Sequence, residues 1–206
     1  MKKNYKFKSN CDTEVLFQGL VNFKLNFLNS LNGMFSAAFY DKKNKELFLI
    51  RDRYGVKPLY YTIHSNILYF ASELKPLFSL KKKLKKNRKY YKNFIKDSAT
   101  DYDSQTSVKD IFQVKPGHYV RCSENKKIIE EKWYKFNDYI FDESIFKNKN
   151  KTLLFFENLL TDSIKLRIKT DVPVCLTLSG GLDSTVLYTL IKEKLKKKNK
   201  NIFTKT

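Results

Sequence analysis

Ser179-Gly180-Gly181-Leu182-Asp183-Ser184 is the stretch of this chain whose residue types and spacing can do chemistry. It follows Val172-Pro173-Val174-Cys175-Leu176-Thr177-Leu178, an apolar run of strand length. It leads into Thr185 to Lys198, where Val186, Leu187, Leu190, Ile191 and Leu195 form a helical stripe. Strand, glycine loop and helix in that order put the loop at a helix N-terminus. Backbone N–H groups there lack intrahelical acceptors and the peptide dipoles add partial positive charge, so the position favours an anion, phosphate above all. Gly180 and Gly181 have no Cβ, which lets the backbone approach phosphate oxygens and take positive φ, and the hydroxyls of Ser179 and Ser184 can donate further bonds. Asp183 would be repelled by phosphate alone, so its presence implies a divalent cation between them. A purely structural turn is the plainer reading of a bare Ser-Gly-Gly; the added acid and second serine argue for a ligand.

Other periodicities outline the elements around this loop. From Thr152 to Ile168, Leu153, Phe156, Leu160, Ile164 and Ile168 lie on one helical stripe. From Glu14 to Leu31, Leu16, Leu20, Phe23, Phe27 and Leu31 recur at spacings of three or four, predicting one helix capped by Asp12 or Thr13. Met34 to Tyr40 is nearly continuous apolar sequence, expected as a strand buried on both faces. The turn residues Asp41 to Lys45 lead into a return strand, Glu46 to Arg51. Pro58 to Ile63 and Ile67 to Ala71 flank His64-Ser65-Asn66 as a second hairpin. Glu73 to Leu80 reads as a short helix with Pro76 in its first turn, and 81–107 as an exposed connection with one short helix near Tyr90 to Ile95. After the Pro116-Gly117 turn, His118 to Cys122 and Lys127 to Tyr134 fit two more strands. The expected fold class is α+β, β-rich layers over residues 1–135, a linker at 136–151, then the start of an α/β domain over 152–206.

Composition removes several function classes. With 42% hydrophobic residues, 17 Phe and 13 Tyr among 206 residues, the chain can bury a core. No apolar run approaches the roughly 18 to 20 residues of a membrane span, so a cytoplasmic protein is expected. Three widely spaced cysteines, Cys11, Cys122 and Cys175, with only two histidines make no zinc or iron-sulfur signature and read as reduced thiols. The net charge of +20 raises nucleic-acid binding. The excess is mostly Lys amid much Asn, Ile, Phe and Tyr, a compositional bias rather than a base-reading patch, so nucleic acid is set aside. The lysine runs at 81–83 and 196–198 read as solvated surface.

The glycine loop lacks the lysine and the four-residue spacer of the common nucleotide-binding P-loop. It resembles instead the pyrophosphate loop of the PP-loop ATP pyrophosphatases, which cleave ATP to AMP and pyrophosphate while activating a carboxyl or carbonyl group as an adenylate. Asp171-Val172-Pro173-Val174 before Leu178 to Ser184, with Arg167 upstream, is similar more narrowly to the synthetase-domain entry of glutamine-hydrolysing asparagine synthetases. The N-terminal part agrees. Asp12 to Leu16, Leu31 to Phe35, Arg51-Asp52-Arg53-Tyr54-Gly55-Val56-Lys57-Pro58-Leu59-Tyr60-Tyr61, Phe70 to Lys75 and Val114 to His118 resemble, in order, motifs of that family's class II glutamine amidotransferase domain.

The resemblance implies an ATP-dependent carbon–nitrogen ligase in which glutamine is hydrolysed in the first domain and ammonia crosses to the second to attack an aspartyl-adenylate, giving asparagine. Its cofactors would be ATP and Mg. Leu178, Ser179, Gly180, Gly181, Asp183 and Ser184 would form the ATP/pyrophosphate site, Asp183 would ligate Mg, and Asp12 would hold the amino group of glutamine. The family's nucleophile is a cysteine exposed after methionine removal. This chain starts Met1-Lys2, so no catalytic residue is assigned and no ammonia release is expected from the chain alone. Cys11 follows Asn10 inside the chain, has no free amine, and is not taken as its replacement. The chain is expected to be incomplete or split, truncated at both ends, with a complementary polypeptide or a second copy as partner. An inactive fragment, or a relative amidating a sugar acid or a β-lactam precursor, remains the rival reading, because acceptor-choosing residues are expected beyond Thr206. Arg51, Asp52 and Arg53 read either as catalytic or as a structural ion-pair cluster at a hairpin.

Overall fold

Asp41 shows how the local sequence starts the first sheet. Its Oδ1 accepts the backbone N–H groups of Lys43 (2.9 Å) and Asn44 (3.2 Å), and Lys45 turns the chain at φ 53°. In the computed structural model, which describes residues 5–81, 83–98, 103–125, 127–136, 143–169, 172–196 and 202–205, this turn joins β1 (Ser36–Asp41) to β2 (Glu46–Arg51). Before them come α1 (Asp12–Phe23) and a 3-10 helix (Lys24–Ser30). After them come β3 (Tyr60–His64), β4 (Ile67–Ala71), α2 (Lys75–Phe78), α3 (Arg88–Asp97), β5 (Phe112–Gln113), β6 (His118–Ser123) and β7 (Ile128–Lys132). A second unit, residues 139–206, holds a 3-10 turn (Glu143–Lys147), α4 (Lys149–Arg167), β8 (Val174–Thr177), α5 (Leu182–Lys196) and β9 (Ile202–Lys205). The Met1-Lys2 start, Lys82, Asp171, Lys197, Lys198 and residues 137–142 of the expected linker lie outside the described residues.

The first unit is α+β, with two antiparallel sheets in the orders β1-β2-β6-β7 and β4-β3-β5. Strand periodicity distributes its core. Phe48 and Ile50 of β2 share a face with Tyr119 of β6 and pack on Leu20 of α1 and Leu28 of the 3-10 helix. Leu49 and Val120 point the other way and meet Leu59, Tyr61 and Val114 of the second sheet and its flanks. Each such buried aliphatic side chain contributes about 1.5–3 kcal/mol. Ser65 (φ 48°) and Asn66 (φ 62°) make the tight β3–β4 turn expected from His64-Ser65-Asn66.

Three local expectations need correction. The helix predicted over Glu14 to Leu31 stops at Phe23; Lys24 takes φ 55° and the chain continues as a 3-10 helix. Gly19 permits this, because Phe27 folds back with its ring in the space that a side chain at position 19 would fill. The cap residue is Cys11, with no side-chain bond, which places Asp12 and Glu14 in the first turn of α1 rather than Asp12 or Thr13 at the cap. Finally, β1 is an edge strand of half-exposed residues, not a strand buried on both faces.

Arg51 and Asp52 form no ion pair with each other; both staple backbone. Asp52, 1% exposed, accepts the N–H groups of Phe35 (3.3 Å), Tyr54 (3.1 Å), Val56 (3.0 Å) and Lys57 (2.9 Å). Arg51 donates to the carbonyls of Lys57 (3.0 Å), Val114 (2.8 Å) and Gly55 (2.8 Å), its planar fork tying the 55–57 loop to Val114. Arg53 donates to the Asn29 carbonyl at 3.0 Å and lies over the Tyr134 ring.

In the second unit Ile164 and Ile168 at the end of α4 meet Ile191 of α5, with Leu160, Val174, Leu176, Leu187 and Leu190 around them. Only the C-terminal half of the stripe read along α4 is therefore core; Leu153 is 56% and Phe156 61% exposed. Strands β8 and β9 are parallel, Val174 opposite Ile202, with α5 as the crossover between them. Among the described residues no helix is long and apolar enough to cross a membrane.

Candidate functional site

In the second unit the chain leaves β8 at Thr177 and enters α5 at Leu182, so residues 178–181 are the loop between a parallel strand and its crossover helix. Leu178 is half-buried; Ser179, Gly180, Gly181, Leu182 and Asp183 are exposed. Gly180 has φ +77° and open space where a Cβ would stand, so glycine is needed for backbone conformation and leaves the loop accessible. The Gly181 carbonyl accepts Thr185 N–H (3.2 Å), Thr185 Oγ1 (2.9 Å) and Ser184 Oγ (3.0 Å), which fixes the first turn. Ser179 Oγ lies 3.1 Å from Ser184 Oγ and accepts the N–H of Gly181 at 3.4 Å. The two hydroxyls thus bond within the loop, and rotation of either would turn a donor outward. Asp183 sits exposed in the first helical turn. Thr185, whose hydroxyl ties the loop to the helix, was not picked out from sequence; its signal was its place one residue after the motif.

In the first unit, Asp12 stands exposed at the head of α1 and lines a cleft of about 680 Å³. Leu16, Leu31, Asn32, Met34, Ser36 and Lys57 are among its walls. Cys11 is exposed beside it, its Sγ 3.7 Å from Asp12 Oδ1. Glu14, two residues on, accepts the backbone N–H groups of Lys8 (2.9 Å) and Ser9 (2.8 Å), the Ser9 hydroxyl (2.6 Å) and the Tyr5 hydroxyl (3.1 Å). These bonds, that from Lys8 above all, hold its carboxyl at about 2. Asp12 belongs to the first unit and the glycine loop to the second. A further hollow of about 410 Å³ has its charges paired internally, Lys24 with Asp41 (3.4 Å) and Arg121 with Glu46 (3.2 Å) and Glu131 (3.6 Å).

The first unit is thus built of β-rich layers, and the second holds a strand, a glycine loop and a helix in succession. The family model of the glutamine amidotransferase domain matches residues 1–134, and that of asparagine synthase matches residues 156–204; the chain belongs to the glutamine amidotransferase family, alongside the asparagine synthetases. It is 32% identical over 202 residues to asparagine synthetase [glutamine-hydrolyzing] 2 of Bacillus subtilis, covering 93% of this chain and 27% of that protein. It is 30% identical over 201 residues to amidase chry2 of Gibberella zeae, covering 95% of this chain and 29% of that protein. With amidase chyE of Penicillium rubens it shares 27% identity over 209 residues, 97% and 29% of the two chains. The chain thus spans less than a third of the length of these three curated relatives.

Proposed function

We propose that this chain carries part of a glutamine-dependent asparagine synthetase, with the glutamine amidotransferase domain over residues 1–135, a linker at 136–151 and the entry of the PP-loop ligase domain over 152–206. The whole reaction would be ATP-dependent amidation of aspartate with glutamine-derived ammonia. The observation that carries this reading is the open Gly180 at the junction of β8 and α5, where exposed backbone and two serine hydroxyls gather at a helix head. Ser179, Gly180, Gly181 and Ser184 would hold the pyrophosphate portion of ATP, with Leu178 beside it. Asp183, the exposed acid of the first turn, would share an Mg ion with phosphate oxygens. When bound, ATP would supply the adenylate that activates the acceptor carboxylate. In the first unit Asp12 would take the amino group of glutamine. The reading implies a cytoplasmic protein with glutamine, aspartate and ATP as substrates and a complementary polypeptide or a second copy as partner.

Calorimetric titration of the chain with MgATP and with magnesium pyrophosphate tests this. Both should bind, and Gly180→Val, which forces a branched side chain into a left-handed position, should abolish binding of both. Absence of binding by the unaltered chain would remove the ligase assignment. A second reading is amidation of a carboxylate other than aspartate, since two fungal relatives are named amidases rather than asparagine synthetases. Pyrophosphate exchange into ATP that depends on a different carboxylate, in an assembly completed by any partner polypeptide, would select it.

A further inference from the structure

Between Glu73 and Asp97 the chain has no acid, and Lys85, Lys86, Arg88, Lys89, Lys92 and Lys96 are all exposed. Among the described residues only Lys96 of these pairs with a carboxylate, that of Asp97 at 4.0 Å. We infer that α3 seats the protein on anionic phospholipid membranes, lying along the leaflet surface with its cations among the headgroups and its apolar row at the acyl boundary. This surface is separate from the nucleotide loop, which lies in the second unit.

The pitch of the helix sets the two chemistries side by side. Tyr91 and Ile95 stand one turn apart, and Arg88, Lys92 and Lys96 form the adjoining row with Lys89 beyond it. Ile95 is 81% exposed and Phe94, on the far side of the apolar row, 46%. Helix α3 is strongly amphipathic and yet polar on balance, the combination found in helices that lie in an interface rather than cross a bilayer. A cluster of about four to eight cations on such a helix is the usual signature of attraction to acidic lipids. Lysine stems can lie along the apolar row while their ammonium groups stay at headgroup level.

The helix is fixed at its ends and open along its length. Asn87, 6% exposed, caps it: the side-chain oxygen accepts Tyr90 N–H (3.4 Å), the side-chain amide donates to Gln105 Oε1 (2.9 Å) and the backbone N–H donates to the Ser107 carbonyl (2.9 Å). Ser98 closes the other end at φ 50°, its N–H donating to the Phe94 carbonyl at 2.9 Å. None of the ten residues of α3 is buried. A helix this short draws most of its stability from covering its apolar face, and here Tyr91, Phe94 and Ile95 face solvent. What covers them has to offer anions and hydrocarbon in one plane, as a phospholipid leaflet does. A single-stranded nucleic acid would ask for stacking rings, whereas the most exposed apolar side chain of α3 is the aliphatic Ile95.

Sedimentation of the full chain with extruded vesicles tests this. The chain should bind vesicles of equal parts phosphatidylserine and phosphatidylcholine about tenfold more strongly than vesicles of phosphatidylcholine alone, and the difference should shrink as salt is raised. Lys89→Gln, Lys92→Gln and Lys96→Gln together should weaken binding to the mixed vesicles about tenfold. Ile95→Gln alone, which leaves every charge in place, should weaken it about fivefold. All four side chains are exposed, so both variants should melt with the parent, which separates lost binding from lost fold. Equal binding to both kinds of vesicle would show that anionic lipid is not recognised. Unchanged binding by the triple lysine variant would place the contact elsewhere on the chain, and unchanged binding by Ile95→Gln would leave the apolar row in water. Tighter binding to a single-stranded oligoribonucleotide than to the mixed vesicles would make the basic row a nucleic-acid surface. Any of these results would overturn the membrane role.

Discussion

The ring of Phe27 occupies the space beside Gly19 where any other residue would place its β-carbon. This contact lets the 3-10 helix fold back on α1 and puts Leu28 at 0% exposure against Leu20, Phe48 and Ile50. Gly19→Ala should therefore destabilise the first unit by about 1–3 kcal/mol, the usual cost of overpacking, although alanine is the better helix former. Urea denaturation checks the sign, and adding Phe27→Ala should make the two losses strongly non-additive.

Asp52 predicts a larger effect. Its carboxylate, 1% exposed, accepts four backbone N–H groups. Asparagine keeps one accepting oxygen and turns an NH2 toward donors, so Asp52→Asn should cost about 3 kcal/mol or more. Chemical denaturation measures the loss. A variant as stable as the parent would show that these bonds do not anchor the 52–57 loop.

Glu14 sets a pH dependence. Its folded carboxyl titrates at about 2, below its ordinary 4.5, because Lys8, Ser9 and Tyr5 donate to its charged form. The sign follows from linkage: the contribution is fully present above the ordinary carboxylate range and is lost as pH falls from about 4.5 through about 2. The 5–9 segment should stay docked on α1 at mild acidity and release near the lower limit. Amide exchange at Lys8 and Ser9 followed against pH reads this directly, and Glu14→Gln should release the segment at neutral pH.

Much of this was legible where local chemistry decides the outcome. Ser65 and Asn66 tolerate positive φ and formed their turn, and the turn residues Asp41 to Lys45 announced the return strand Glu46 to Arg51, whose limits are those of β2. What escaped depended on contacts distant in sequence. The stripe from Leu16 to Leu31 matches a continuous helix, and only the Phe27 ring against Gly19 reveals the break. β1 looked doubly buried because its small and aromatic residues suit that role, yet pairing leaves it at a sheet edge. Arg51, Asp52 and Arg53 left open a catalytic role or an ion-pair cluster, whereas Arg51, at the end of β2, and Asp52, just past it, each bond to backbone of the 52–57 loop and its neighbours.

Asp183 yields the sharpest expectation for the loop. It lies in the first turn of α5, where helix N–H groups attract an anion, but its own negative charge opposes bare pyrophosphate. A magnesium shared between carboxylate and phosphate reverses that opposition. Asp183→Asn should therefore bind magnesium-free pyrophosphate more tightly than the parent, by about 2–5-fold given screening at an exposed site, and bind the magnesium complex more weakly. Titrations with pyrophosphate in excess magnesium and in a chelator measure both arms. If the substitution weakened both forms equally, Asp183 would be supporting loop geometry rather than sharing a cation. If neither form responded, the carboxylate would point away from the bound anion, and the metal assignment would fail while the backbone cradle at Gly180 and Gly181 could still hold phosphate.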